Sequence, residues 1–124
     1  MVALGDNDFS EPLAEGEAWA NDQALAADFA TRLSAMLDDI LTRSPGRPIL
    51  VLAYADAGVP GHPILEEVTN RLAAAGAPVR MIRQAEFERT ACFWHPSLAD
   101  HEALTETLVR AIDALIADGL LEAP

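Results

Sequence analysis

The chain has 124 residues, 51% of them hydrophobic and 23% charged, and carries 20 acidic against 8 basic side chains for a net charge of −12. That length suits one globular domain with a real core and leaves no room for a two-domain enzyme. All eight basic residues are scattered arginines, and a pI near 4.3 repels phosphate backbones and anionic lipid, which argues against nucleic acid and membrane surfaces as partners. No apolar run approaches the roughly 20 residues of a bilayer span. The N-terminus, MVALGDNDF, has neither the basic nor the apolar region of a secretion signal, so the chain as written is expected in the cytoplasm. Cys92 is the single cysteine and forms no intrachain disulfide, in keeping with a reducing compartment.

In chain order the hydrophobic pattern reads β-α-β-α-β-α. A short strand at residues 2–4 stops at Gly5, and a polar loop runs from Asp6 to about Trp19. The first helix starts near Asn21 or Asp22, either of which can cap it. Its apolar stripe is Leu25, Phe29, Leu33, Met36, Leu37, Ile40 and Leu41, with Asp28, Arg32, Asp38 and Asp39 turned away. Ser44-Pro45-Gly46 ends it. Residues 48–54 follow as a continuous apolar strand, the pattern of a strand buried on both faces of a parallel sheet.

A Gly/Pro-rich loop over 56–63 precedes a second helix with Ile64, Leu65, Val68 and Leu72 inward, stopped by Gly76 and Pro78. Residues 79–82 form the third strand. The last helix, 98–118, is expected to bury Leu104, Leu108, Ile112, Leu115 and Ile116 before Gly119. Right-handed crossovers make all three strands parallel, with helices on both faces. Ligands of such sheets sit beyond the carboxyl ends of the strands, which gathers the loops at 5–19, 55–63 and 84–97 at one edge. Asn7 and His95 are the unusual polar residues of the first and third of these.

The opening VALGDNDFSEPL resembles the G-x-N-D block of the SGNH hydrolases, or GDSL esterases, and the close CFWHPSLADHEALTETLVRAI resembles their catalytic-histidine block. The intervening helix-strand-helix-strand order is that of the last three βα units of that fold. G-x-N-D-F-S with P-L, and C-x-W-H-P-S-x-x-D-H, are most similar to the carbohydrate-deacetylating branch. The resemblance implies a three-layer α/β/α, flavodoxin-like fold lacking its first strands, formed by residues 1–124 as one domain. It also implies hydrolysis of ester or acetyl groups on small acyl esters or acetylated sugars, with no cofactor.

Acyl transfer needs a base beside the nucleophile and fixed donors where the oxyanion develops. Asn7, past a strand, can aim its amide NH2 at such an oxygen. Alone it reads equally as an Asx-turn residue, and the second block is what favours the oxyanion role. Gly5 permits a tight exit from the strand, and Asp8 pins the loop; both line the substrate side in the family pattern. His95, stiffened by Pro96, carries the imidazole that can serve as a general base. Trp94 stands beside it as an aromatic wall or as an anchor of the loop. Ser97, at a helix start, reads as an N-cap rather than a nucleophile. Cys92, His95 and His101 lack the ligand number and spacing of a zinc site, so no metal is expected. His101 reads as a helix-surface residue, and the pairs Asp38-Asp39 and Glu66-Glu67 as solvated charge.

Two departures from the family pattern bear on function. The family's nucleophilic serine lies in an N-terminal Gly-Asp-Ser block, and an oxyanion glycine lies in a second block; this chain contains neither, and Ser10, Ser34, Ser44 and Ser97 do not follow Gly-Asp. The family also places an aspartate three residues before the histidine, where Cys92 stands, or two before, where Phe93 stands. Some deacetylating members instead use a Ser-His dyad oriented by a backbone carbonyl. The expectation is a C-terminal portion of that architecture, its missing start compatible with a lost secretion signal. Its first strand is then an open edge disposed to self-association, which concentration-dependent size exclusion would reveal. Two alternatives remain. One is a non-catalytic α/β binding module derived from a hydrolase scaffold. The other, weaker, is a small acidic flavodoxin-like domain, against which stands the absence of a phosphate-cradling loop.

Overall fold

The structure, a computed structural model, describes residues 1–5, 7–54, 61–84 and 87–122, without the side chains of Asn7, Tyr54 and Trp94. Among them, β1 (Val2–Ala3), β2 (Ile49–Tyr54) and β3 (Val79–Gln84) form a parallel sheet in the order β1-β2-β3. Val2 lies opposite Val51, and Ile49 through Tyr54 lie opposite Val79 through Gln84. Helices α1 (Asp22–Arg43), α2 (Gly61–Ala74) and α3 (Leu98–Ala117) alternate with the strands. This is the expected α/β architecture. No helix among the described residues is long and apolar enough to cross a membrane.

Side-chain alternation decides which helix covers which face. Ile49, Val51, Ala53 and Val79 share one buried cluster with Leu33 and Leu37 of α1 and Leu65, Val68 and Leu72 of α2. Right-handed crossovers in one direction require that shared face. Leu50 and Leu52, of the other parity, are buried toward the opposite face, where α3 contributes Leu115. Every residue of β2 from Ile49 to Ala53 is buried, as its unbroken apolar run anticipated.

Several boundaries differ from those expected. Strand β1 ends at Ala3, and Leu4 is exposed. The loop after it contains a 3-10 turn, Asn7–Phe9. Helix α2 begins at Gly61 rather than after Pro63; proline is tolerated in a first turn because those N–H groups have no helical acceptor. Residues 55–60 of the loop expected there lie outside the described residues. Strand β3 continues through Arg83 and Gln84, whose polarity hides a pairing made by the backbone: they stand opposite Ala53 and Tyr54. Helix α3 buries Leu115, half-buries Leu104, Leu108 and Ile116, and leaves Ile112 39% exposed, against expectation. Glu66 is not merely solvated charge, since it pairs with Arg83 across from α2 to β3.

The exit from β1 is fixed by close contacts. Gly5 is at φ +104°, a conformation only glycine adopts without strain, and a Cβ there would lie 3.3 Å from the Phe29 ring. A Cβ on buried Gly61 would lie 3.0 Å from the Phe9 ring and 3.2 Å from the Gly5 carbonyl oxygen. Phe9 meets Phe29 edge to face, with centroids 5.3 Å apart at 81°. The turn that begins with Asn7 is thus strapped against α1 and the first residue of α2. Trp19 holds the far end of this loop, its Nε1 donating to Asp28 Oδ2 at 3.0 Å. The Arg32 guanidinium and then this indole hold the Asp28 carboxyl below its usual value.

Candidate active site

The segments bearing Asn7 and His95 leave the carboxyl ends of β1 and β3, parallel strands on either side of β2. Two strand spacings separate their origins, about 10 Å. Asn7 contributes its backbone to the 3-10 turn; its side chain, like that of Trp94, lies outside the described residues. Gly5 is buried and shapes the turn, while Asp8 is exposed.

His95 is exposed and held by backbone. The Cys92 carbonyl accepts twice from it: from the His95 N–H at 3.3 Å and from ring Nδ1 at 3.0 Å. A carbonyl oxygen can only accept, so this contact requires the proton on Nδ1. The neutral ring then presents Nε2 as a bare acceptor, the state a general base must occupy. The residue at the aspartate position of the family pattern therefore meets the imidazole through its main chain. Its thiol is exposed and free.

This turn is built at a conformational cost. Among the described residues, the two non-glycine positions with positive φ are Arg89 (49°) and Phe93 (57°), both in the connection from β3 to α3. Such strain persists only where surroundings over-determine it, and here Asp100 does so. Ser97 and Asp100 form a capping box in which Ser97 Oγ accepts the Asp100 N–H, and Asp100 Oδ2 accepts the Ser97 N–H at 2.7 Å. The same carboxylate accepts from the N–H groups of Glu88 at 2.9 Å and Arg89 at 3.3 Å. One buried side chain thus ties the start of the connection to its end, and His95 lies between.

Burial pushes the Asp100 carboxyl up, but the donors of Ser97, Glu88 and Arg89 outweigh it and hold it below its usual 3.8. A lowered folded-state pKa gives stability that is complete above the unfolded value and lost as pH falls through the folded one. Amide exchange at Glu88 and Arg89 is therefore expected to stay protected near neutrality and to lose protection only below pH 3.8. Ser97→Ala is expected to cost about 1 kcal/mol in urea unfolding through the lost cap, and Asp100→Ala more, because the N–H groups of Ser97, Glu88 and Arg89 and the Ser97 hydroxyl, which donates to Asp100 Oδ2 at 2.8 Å, all lose their acceptor. Equal costs for the two would remove Asp100 as the anchor.

The sequence reading assigned Ser97 its cap but passed over Asp100. The signal was available as S-x-x-D before an apolar helix. His101 is exposed on α3, as expected. Among the described residues no three His, Cys, Asp or Glu side chains are grouped to hold a metal ion. A groove between residues 45–48 and 119–122 opens at the amino edge of the sheet, away from His95.

No protein-family model matches the chain. It is 27% identical over 113 residues to an acetylxylan esterase / glucomannan deacetylase of Cellvibrio japonicus (strain Ueda107), an alignment covering 88% of this chain and 31% of that protein. The fold matches a solved carbohydrate esterase, one whose active site displays divergent catalytic and non-catalytic binding functions, with a TM-score of 0.83 at 23% identity. That match covers 90% of this chain and 36% of the other. The α/β fold is therefore shared with about a third of that solved chain. The chain spans about a third of the length of both relatives, which fits the expected correspondence to a C-terminal portion.

Proposed function

We propose that this chain supplies part of a site that hydrolyses acetyl groups on carbohydrate-like substrates, as an SGNH-type (GDSL) hydrolase segment whose residues 1–124 act as one domain. His95 is the general base, Asn7 an oxyanion donor, and Gly5, Asp8 and Trp94 shape the substrate side. The observation that carries this reading is the 3.0 Å contact from His95 Nδ1 to the Cys92 carbonyl oxygen, which leaves Nε2 as proton acceptor. Nε2 takes the proton of a serine hydroxyl as that oxygen attacks the acetyl carbonyl, and the role assigned to the Asn7 amide is to donate to the developing negative oxygen. The same proton passes to the sugar oxygen as the C–O bond breaks; water, activated in turn by Nε2, then releases acetate.

The serine must come from outside this chain. Ser34 Oγ donates to the Ala30 carbonyl and accepts from Arg71, Ser44 ends α1, Ser97 caps α3, and Ser10 follows the first 3-10 turn. That observation also favours a second reading, a non-catalytic module that binds acetylated sugar on the same rim. The open edge of β1 is where a further strand, from a second copy or from the serine-bearing segment, would pair.

Co-expression with a segment carrying a Gly-Asp-Ser strand end tests the choice, with acetate release from acetylated glucomannan and labelling by a serine-reactive phosphonate as readouts. The pair is expected to be active and the single chain inactive, and Asn7→Ala should lower kcat of the pair by about 100-fold. Sugar binding by a correctly assembled pair that never releases acetate would favour the second reading.

A further inference from the structure

Phe93 is 90% exposed, more than any other large hydrophobic side chain among the described residues, and sits two positions before His95. Its backbone is left-handed, at φ 57° and ψ 36°. Aspartate or asparagine is at ease there because a short polar side chain can bond locally, whereas a bulky aromatic is a genuine outlier. Phenylalanine in this place gains nothing from its backbone and nothing from packing. The turn nonetheless holds it firmly, through the doubly accepting Cys92 carbonyl and the Asp100 anchor at the end of the loop. What the position offers is a flat apolar face presented to solvent beside a candidate base. A carboxylate there would instead add charge to a chain already at −12.

We infer that Phe93 is a stacking platform for the apolar C–H face of a pyranose ring in the bound sugar, and so a specificity-determining residue rather than a catalytic one. Aromatic rings that line ligand sites orient a substrate through such a face while a few polar groups fix its register. The inference rests on the carbohydrate substrate proposed above. It predicts a preference for oligosaccharides over small acetyl esters, since a small ester has no ring face to lay on an aromatic side chain.

The test uses the 124-residue chain itself, titrated with xylohexaose and mannohexaose, acetylated and plain, and followed by NMR shifts and thermal unfolding. Saturable binding by the native chain is expected. Phe93→Gly should weaken it about tenfold, equivalent to about 1.4 kcal/mol, while Tm holds or rises because glycine relieves the positive φ. Phe93→Tyr should bind as the native chain does. Equal affinity for native and Phe93→Gly chains, loss of affinity in Phe93→Tyr, or no saturable binding by the native chain would each overturn the platform. Acetate release by the co-expressed pair that ignores Phe93→Gly would leave the esterase reading in place without the platform. Phe93-dependent sugar binding in a pair that never releases acetate would do the reverse.

Discussion

Replacing His95 by glutamine in the co-expressed, serine-complemented enzyme is expected to lower kcat for acetate release by about 10³-fold, with KM changed much less. Glutamine fills similar space and can still donate to the Cys92 carbonyl, so the turn survives while the proton acceptor at Nε2 is lost. A defect confined to kcat therefore reports on chemistry and not on folding. Cys92→Ala makes the complementary measurement. It deletes an exposed thiol and keeps the carbonyl that holds Nδ1, so most activity should remain. If Cys92→Ala were as damaging as His95→Gln, the thiol and not the main chain would be the working group at that position. If His95→Gln kept most of the activity, Nε2 would have no part in the reaction.

The legibility of this molecule in its sequence follows from which interactions are local. Periodicity carries α1, α2, α3 and the buried strand β2, because a helix stripe or an unbroken apolar run is written in consecutive residues. Caps are equally local: Asn21, whose side chain accepts from the Ala24 N–H, and Ser97 both stand where a short polar side chain precedes an apolar helix. Arg83 and Gln84 were missed as strand because their pairing is made by backbone opposite β2, and side-chain polarity does not report that. Ile112 was placed inward because the stripe on α3 gives its phase but not how much of its circumference the sheet covers. At the candidate site, the sequence shows the histidine proposed as base and the lack of a carboxylate two or three residues before it. The hydrogen bond at that position runs to a main-chain atom, as the resemblance to the dyad-bearing deacetylating members allowed, but every residue type carries a carbonyl, so only the fold shows that Cys92 provides it. The strain at Phe93 is invisible for a related reason, since residue type alone does not fix φ.

Leu37→Ala is expected to be the most damaging single change to the fold, costing about 3–5 kcal/mol in urea unfolding with little change in the slope. Leu37 is fully buried where α1 meets the sheet, in one cluster with Leu33, Val51, Leu65 and Val68. Truncation removes its transfer free energy and leaves a cavity walled by two helices and a central strand, none of which can collapse without disturbing the others. A domain of this size has a stability of about 5–15 kcal/mol, so the loss takes a large part of the total and lowers Tm by about 10 °C or more. Ile112→Ala on α3 is the control, since at 39% exposure it should cost well under half as much. The contrast matters for the site because α3 carries the Ser97-Asp100 box, yet Leu115 is its one fully buried apolar anchor among the described residues. Leu115→Ala should accordingly expose the Glu88 and Arg89 amides to exchange at denaturant concentrations where the α1-α2 face still holds. Simultaneous loss of protection on both faces would show instead that the thin layer over the His95 connection unfolds only with the whole.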